Sequence, residues 1–219
     1  MTMTPPIRKL TLTTHVTASV GWIGALAVFF VHALAGWLSQ DEQIVRAVSI
    51  AMGITAWFVI LPLSLASFAT GLIQALGTAW GLLRHYWIVF KLLLTAVATI
   101  VLLLKLGPIS SLAEAAAKTT FSSADLLGLR TSLMIHAGGG LLVLLTAATL
   151  AVYKPQGMTL YGVRRRLERG GARTEPQLGL VTSMPRWVKV FGVALIILTM
   201  MLVVMLLGGG HGPGAHLPT

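Results

Sequence analysis

The stretch from Thr11 to Leu38, TLTTHVTASVGWIGALAVFFVHALAGWL, constrains this chain more than any other. It is almost unbroken in apolar character, and at about 1.5 Å of rise per residue such a helix crosses a hydrocarbon layer of roughly 30 Å. His15 lies near one end of the stretch and His32 near the other. Because ionisable groups at membrane depth are costly, they tend to face the bundle interior and mark functional sites. The stretch therefore predicts a spanning helix that carries two candidate functional side chains.

Five apolar spans are predicted along the chain, and they indicate an all-α, polytopic transmembrane helix bundle. The 219 residues are 56% hydrophobic and only 10% charged, which is untypical of a soluble domain. We expect Pro62 to kink the second span and Gly107-Pro108 to end the third, with a short interfacial helix after it. A single transmembrane domain, 1–210, holds the predicted spans, which are approximately 11–38, 45–76, 85–106, 127–152 and 187–207.

The distribution of basic residues predicts the orientation. With five spans, the N-terminus, the loop between the second and third spans and the loop 153–186 share one side, which carries most of the Lys and Arg residues. The positive-inside rule makes that side cytoplasmic. We therefore predict a multi-pass protein of a bacterial inner (plasma) membrane, with a cytoplasmic N-terminus and a periplasmic C-terminus. The loop 153–186 is then a basic cytoplasmic loop in contact with the lipid bilayer, and 211–219 is a flexible periplasmic tail.

Several classes of function are excluded or disfavoured by the residues present. The chain has no cysteine, so disulfides, thiolate catalysis, iron–sulfur clusters and cysteine-based zinc sites are excluded. All acidic residues lie in predicted loops, and no nucleophile elbow or phosphate-binding glycine loop is present. Nucleic acid is not an expected partner, because the basic loop has no recognisable binding motif. Whether the protein is an enzyme stays open.

His32 on the first span and His136 on the fourth are predicted at the same depth below the periplasmic face. Two imidazoles on different helices are what six-coordinate haem b requires. Gly36 follows His32 by one helical turn, and Gly139 and Gly140 follow His136 in the same way, so a flat macrocycle could approach the backbone there. The pattern predicts one haem b with bis-histidine ligation.

Arg130 completes this candidate site. It lies about 9 Å from His136 toward the periplasmic surface, where it can pair with a haem propionate. The protein would then be an electron carrier for quinone or a periplasmic redox partner. Hydrogen bonding between helices is an alternative explanation of the pair, and copper binding or proton transfer is another. His15 and His85 match in depth at the cytoplasmic face, near the lipid headgroups, where water can satisfy both imidazoles. Ligation of a metal or a second haem by this pair is the alternative.

A different class of function is suggested by the second span, which carries a polar stripe on one helical face: Ser64, Ser67, Thr70 and Gln74. With His15 and Lys91, this stripe is a candidate path for a copper or small-solute permease. Lys91 lies inside the third span, and snorkelling to the inner face is one explanation of its charge. The alternative is that it holds an anionic group or a quinone carbonyl. An assembly or accessory subunit of a larger membrane complex is a further possibility.

Two segments carry a resemblance to a known family: WFVILPLSLASFATGLIQALGTAWGLLRHYWIVFKLLLT (Trp57 to Thr95) and MIHAGGGLLVLLTAATLAVYKPQGMTLYG (Met134 to Gly162). They resemble an uncharacterised family of bacterial integral membrane proteins of unknown function, which implies membrane integration and no particular activity. The opening HVTASVGWIGALAVFF is similar to the first helix of copper-resistance protein D-like membrane proteins. That second resemblance implies copper handling.

Overall fold

The computed structural model describes residues 3–77, 82–118, 126–155, 157–164 and 185–194, together with residues 197 and 200. Its elements, in chain order, are α1 (Pro5–Leu38), α2 (Glu42–Thr55), a π-helical turn (Ala56–Ile60), α3 (Leu61–Gly77), α4 (Tyr86–Ala117) and α5 (Leu127–Tyr153). An isolated bridge joins His85 to Met158, and the residues just named contain no β-strand. The all-α prediction is confirmed.

Four helical rods are long and apolar enough to cross a membrane: Pro5–Leu38, Glu42–Gly77, Tyr86–Ala117 and Leu127–Tyr153. Since a helix satisfies its own backbone hydrogen bonds, such rods are suited to lipid, and the chain is a multi-pass membrane protein. The fifth predicted span, 187–207, is helical over 187–194 and otherwise lies almost wholly outside the described residues. The tail 211–219 and 165–184 of the basic loop lie outside them too. The fifth span and the orientation stay predictions.

The four rods form a ring. The first rod, α1, packs against the α2–α3 rod and against α5, and α4 packs against the same two neighbours. An apolar cluster that includes Trp22, Phe29 and Leu133 fills the middle of the ring. Because lipid is as apolar as these side chains, close packing and interhelical hydrogen bonds stabilise the ring more than burial from water does. It also follows that α1 and α4 face each other across the bundle interior.

Backbone contacts identify which helix ends lie together. The amide of Met3 donates to the carbonyl of Gly77 at 3.2 Å, and the amide of Thr159 donates to the carbonyl of Arg84 at 2.9 Å. The start of α1, the end of α3 and the start of α4 therefore share one end of the bundle. We call it the basic end, because its charged residues among those described are cations: Arg8, Lys9, Arg84, Lys154 and Arg164.

The opposite end carries charges of both signs, and we call it the mixed-charge end. There, Trp37 Nε1 of α1 donates to Thr131 Oγ1 of α5 at 3.1 Å, and Arg46 of α2 donates to the carbonyl of Lys118 at 2.6 Å. Asp41 caps α2 by accepting from the amide of Gln43 at 2.8 Å. These contacts join the α1–α2 connection to the helices on both sides of it.

The predicted stop at Gly107-Pro108 is wrong, because α4 continues through Pro108 to Ala117. The proline removes one backbone donor, but the buried face of the helix runs on without a break through Leu106, Ile109, Leu112 and Ala116. This face packs against α2. Tertiary packing thus outweighs the local helix-breaking signal, and the expected interfacial helix is the last part of α4.

The region before Pro62 departs from a regular helix. The amide of Leu61 donates to the carbonyl of Ala56 in a π-helical turn, immediately before the proline. A π turn widens the helix, which accommodates the proline ring and the missing donor. α2 and α3 consequently form one rod with a bulge in the middle, at the position where the sequence predicts a kink.

Candidate functional site

A cavity of about 690 Å³ opens in the bundle at the basic end. Its polar lining comes from α1, α3 and α4, which contribute His15, Ser67, Gln74, Lys91 and Thr95. The end of α5 closes another side with Ala151 and Val152. This volume lies within the range of roughly 300–1,000 Å³ that is usual for small-molecule sites.

Lys91 and His15 meet inside the ring. Lys91 Nζ lies 3.1 Å from His15 Nε2, so a residue of α4 contacts a residue of α1 across the bundle interior. His15 is buried, with 7% of its surface exposed. Through this contact, the two ionisable side chains at membrane depth satisfy part of each other's hydrogen-bonding capacity.

The other ring nitrogen of His15 determines which atom donates. His15 Nδ1 lies 3.0 Å from the carbonyl oxygen of Ser67 and 3.1 Å from Thr70 Oγ1. Because a carbonyl can only accept, Nδ1 carries the proton and donates. Nε2 of the neutral ring is then an acceptor, and it receives an N–H from the Lys91 ammonium. His15 therefore connects α3 to α4 and holds the ammonium beside the cavity.

Neighbouring contacts keep this arrangement in place. Ser19 Oγ, one turn after His15, lies 2.7 Å from Ser67 Oγ. Gln74 Nε2 donates to the carbonyl of Thr11 at 3.0 Å, which adds a second link between α1 and α3. Gly71 leaves the space that the imidazole occupies, because a Cβ there would lie 3.0 Å from His15 Cε1. The site is thus built from facing positions of two helices and one lysine of a third.

The structure brings most of the predicted polar stripe together with His15 and Lys91. Ser67 and Gln74 line the cavity and Thr70 contacts His15. Ser64 does not take part, because it is fully buried and donates to the carbonyl of Leu61 on its own helix. Snorkelling of Lys91 to the inner face is wrong, since its ammonium is bonded to a buried imidazole.

Four contributors to the site were missed by the sequence analysis: Arg8, Lys154, Thr95 and Ser19. Arg8 and Lys154 line the cavity, although one lies near the N-terminus and the other follows the last helix of the ring. Lys154 ends α5 in a left-handed conformation, with φ of 42°. Ser19 carried a usable signal, because it lies one turn from His15 on the same helical face. The predicted topology places both cations on the basic side, but only the packing of the rods shows that they reach the cavity.

The predicted haem ligands His32 and His136 face different neighbouring helices. The α1 residues that contact α5 include Leu26, Phe30 and Trp37. At about 100° per residue they lie roughly 140° around α1 from His32. Gly36, which is about 40° from His32, contacts Val48 of α2. His32 is therefore on the α2 side of α1.

His136 lies on the α4 side of α5. Its Nδ1 donates to the carbonyl of Ser132 at 2.6 Å within the same helix, and Ser132 Oγ accepts from Lys105 Nζ of α4 at 3.4 Å. His32 Nδ1 and His136 Nε2 are both buried, and neither has a hydrogen-bond partner in the part of the chain that the structure describes. Bare ring nitrogens fit metal ligation, whereas the positions of the two rings on different helix flanks do not favour a shared iron.

The other predicted members of the haem site are placed as follows. Arg130 is buried, and its guanidinium donates to the carbonyl oxygen of Ser39 at 3.4 Å. Ser39 is the C-cap residue of α1. A Cβ on Gly36 or Gly140 would contact Val48 or Leu26, so these glycines serve helix packing, whereas a Cβ on Gly139 would meet nothing within 4 Å.

His15 and His85, the second predicted pair, do not contact each other through the hydrogen bonds of His15, which go to Ser67, Thr70 and Lys91. Both ring nitrogens of His15 have protein partners, and His85 is the N-cap residue of α4 and forms the bridge with Met158. Among the described residues, no group of three or more His, Cys, Asp or Glu side chains is arranged to hold a metal ion.

No protein-family model, curated protein sequence or solved structure matches this chain. The resemblances to the uncharacterised membrane family and to copper-resistance protein D-like proteins therefore stay predictions. The cavity at the basic end is the feature on which a functional argument can be based.

Proposed function

We propose that this protein is a membrane-embedded binding protein for a small amphiphilic molecule, and that it acts as a carrier or permease from the basic end. One observation supports the proposal above others: Ser67 and Gln74 of the polar stripe line a single cavity together with His15 and Lys91. Small-molecule sites are typically concave and mostly apolar, with a few fixed polar groups, and this cavity has that composition.

The cavity suits a ligand with one polar head and an apolar body. Leu12, Val16, Phe68 and Leu92 supply apolar wall, and Lys91 supplies a donor held in position by His15. The walls are made by helices that also face lipid, so a molecule dissolved in the membrane has a short route of entry. Water-soluble substrates would require a polar entrance along the same walls.

A carrier is favoured over a continuously open channel. Beyond the cavity, toward the mixed-charge end, the apolar cluster with Trp22 and Ile60 fills the ring. A polar head bound beside Lys91 would have to pass this cluster, which requires the rods to move relative to one another. A carrier therefore alternates between two packings of the ring, and the π-helical turn that ends at Ile60 is a place where the α2–α3 rod can bend.

Filling the cavity tests the proposal. Ala75 lines the cavity, whereas Ala69 lies on the same helix with its side chain exposed on the outer surface. We expect native mass spectrometry to detect a small molecule that is retained by the wild-type protein and by Ala69→Trp but lost from Ala75→Trp. Proteoliposomes loaded with the retained molecule then show whether it crosses the membrane. Retention that is equal in both variants, or absent in the wild type, overturns the proposal.

The bis-histidine haem b is the second candidate function, and the bare nitrogens of His32 and His136 are the observation that favours it. A haem between them would make the protein an electron carrier. An absorption spectrum of protein expressed with a supply of haem is the test. A Soret band that is lost in His136→Ala and in His32→Ala, but kept in His85→Ala, supports this function. Absence of a Soret band, or an unchanged band in His136→Ala, removes it.

A further inference from the structure

We infer that the molecule bound at the basic end is an amphiphile with an anionic carboxylate head, which pairs with the Lys91 ammonium while its apolar chain lies along the cavity walls. The inference rests on the proposed function and identifies its ligand class. It begins from a charge in the bundle interior that no described residue of the chain neutralises.

Lys91 carries its charge next to a neutral partner. An ammonium has three N–H donors, and His15 Nε2 accepts one of them. Accepting a hydrogen bond does not neutralise the charge, and a buried charge is costly unless an opposite charge accompanies it. Among the described residues of the helices that line the cavity, α1, α3, α4 and α5, the one acidic residue is Glu114. It follows Lys91 by 23 positions on α4, roughly 34 Å along the helix axis, and so lies far from the cavity. No carboxylate of the described residues therefore lies beside Lys91, and the inference assigns the missing anion to a bound molecule.

The mouth of the cavity also favours an anionic ligand. Arg8 and Lys154 line it together with Lys91, and these three are the charged residues among its described lining. Low-dielectric walls around charges of one sign focus the field and concentrate ions of the opposite sign. A metal cation would be repelled here, and a neutral quinone would leave the charge of Lys91 without a partner. An anion is attracted at the mouth and neutralises the charge at the binding position.

The walls determine the rest of the molecule. Leu12 and Val16 of α1, Phe68 of α3 and Leu92 of α4 present alkyl and aromatic surface beside the ammonium. A small hydrophilic anion would lose its hydration without gaining contacts on these walls. A carboxylate with an alkyl chain matches both the ammonium and the apolar walls. Its two oxygens accept the remaining N–H groups, and its chain covers the apolar surface.

Photolabelling in nanodiscs of a zwitterionic lipid tests the head group. Decanoate and decanol are each prepared with a diazirine at the chain terminus, so that the two probes differ only in the head. Each is competed with unlabelled decanoate, decanol and a short-chain quinone, at matched mole fractions in the bilayer. We expect decanoate to displace either probe at about one tenth of the decanol concentration or less, with adducts mapped to Leu12, Val16 or Leu92.

Substitutions identify the ammonium as the cause of the preference. In Lys91→Met we expect decanoate and decanol to compete equally, and in Lys91→Arg we expect the preference to persist. Lys105→Met is the matched control, because it removes a lysine from the same helix at the mixed-charge end and should leave the preference unchanged. If Lys91→Met does not fold, Lys91→Gln replaces it, and the wild-type competition already decides the head group.

The outcomes separate the two proposals. Equal competition by decanoate and decanol in the wild type, or stronger competition by the quinone, overturns the anionic head while the cavity stays a binding site. Absence of adducts from both probes on the cavity walls overturns the binding function itself. Loss of the preference in Lys105→Met as well as in Lys91→Met assigns it to net charge and overturns the role of Lys91.

Discussion

The two ends of the bundle use the same pair of residue types in different ways. At the basic end, His15 of α1 and Lys91 of α4 bond to each other across the interior of the ring. At the mixed-charge end, His136 of α5 and Lys105 of α4 both contact Ser132 at the interface of two neighbouring helices. The first arrangement borders a cavity, and the second is local, since His136 donates to its own helix.

The difference shows that depth in the membrane does not by itself define the role of an ionisable side chain. A histidine that connects three helices positions a charge, whereas a histidine bonded to its own helix leaves the packing of its neighbours unaffected. The rotation of each helix about its axis decides which case applies. Three predictions test whether the two ends really differ in this way, starting with the largest effect.

Removing the imidazoles should separate the two ends most clearly. His15→Phe removes the contacts that link α1, α3 and α4 and leaves Lys91 without its acceptor, so we expect it to lower the free energy of unfolding by about 1–3 kcal/mol. His136→Phe removes a bond within α5, and we expect a loss below about 0.5 kcal/mol. Reversible unfolding in mixed micelles with sodium dodecyl sulfate measures both. Equal losses would mean that the two histidines have equivalent structural roles.

The coupling between each histidine and its lysine is the next effect. In a double-mutant cycle with His15→Phe and Lys91→Met, we expect an interaction energy of about 1 kcal/mol, because the two side chains are directly bonded. The corresponding cycle with His136→Phe and Lys105→Met should give an interaction energy near zero, since the serine stands between them. A larger coupling at the mixed-charge end than at the basic end would reverse the comparison.

Adding a methyl group next to each histidine should have the smallest effect. A Cβ on Gly71 would lie 3.0 Å from His15 Cε1, so Gly71→Ala forces the ring to shift and weakens its bonds by up to about 1 kcal/mol. Gly139→Ala, one turn after His136, meets nothing within 4 Å and should be neutral or slightly stabilising. Thermal unfolding of the two variants, side by side in the same detergent, measures this. A destabilising Gly139→Ala would indicate that the space beside His136 is needed.

Sequence reasoning predicted the four apolar rods that the structure describes and part of the polar lining of the cavity. Long apolar runs must become helices in lipid, because no other partner satisfies their backbone groups, and spacings of three and four place Ser67, Thr70 and Gln74 on one face. It failed at Gly107-Pro108, where a local stop signal competed with a buried face that continues through the proline. It also paired histidines by their depth in the membrane, which the sequence can give. It could not predict the direction in which each histidine points around its helix axis.

The sequence by itself determined that this chain lies in a membrane as helices, that acidic residues are absent from the predicted spans, and that a lysine and several hydroxyl groups lie within those spans. Only the tertiary structure decided that Lys91 meets His15, that Arg8 and Lys154 reach the same cavity, and that His136 turns to α4. The physical reason is that the hydrophobicity of a segment is the sum of the contributions of its own residues, so it can be read from the sequence of that segment alone. A contact between helices depends on how each rod is rotated and aligned against its neighbours, and that is settled by the packing of the whole ring.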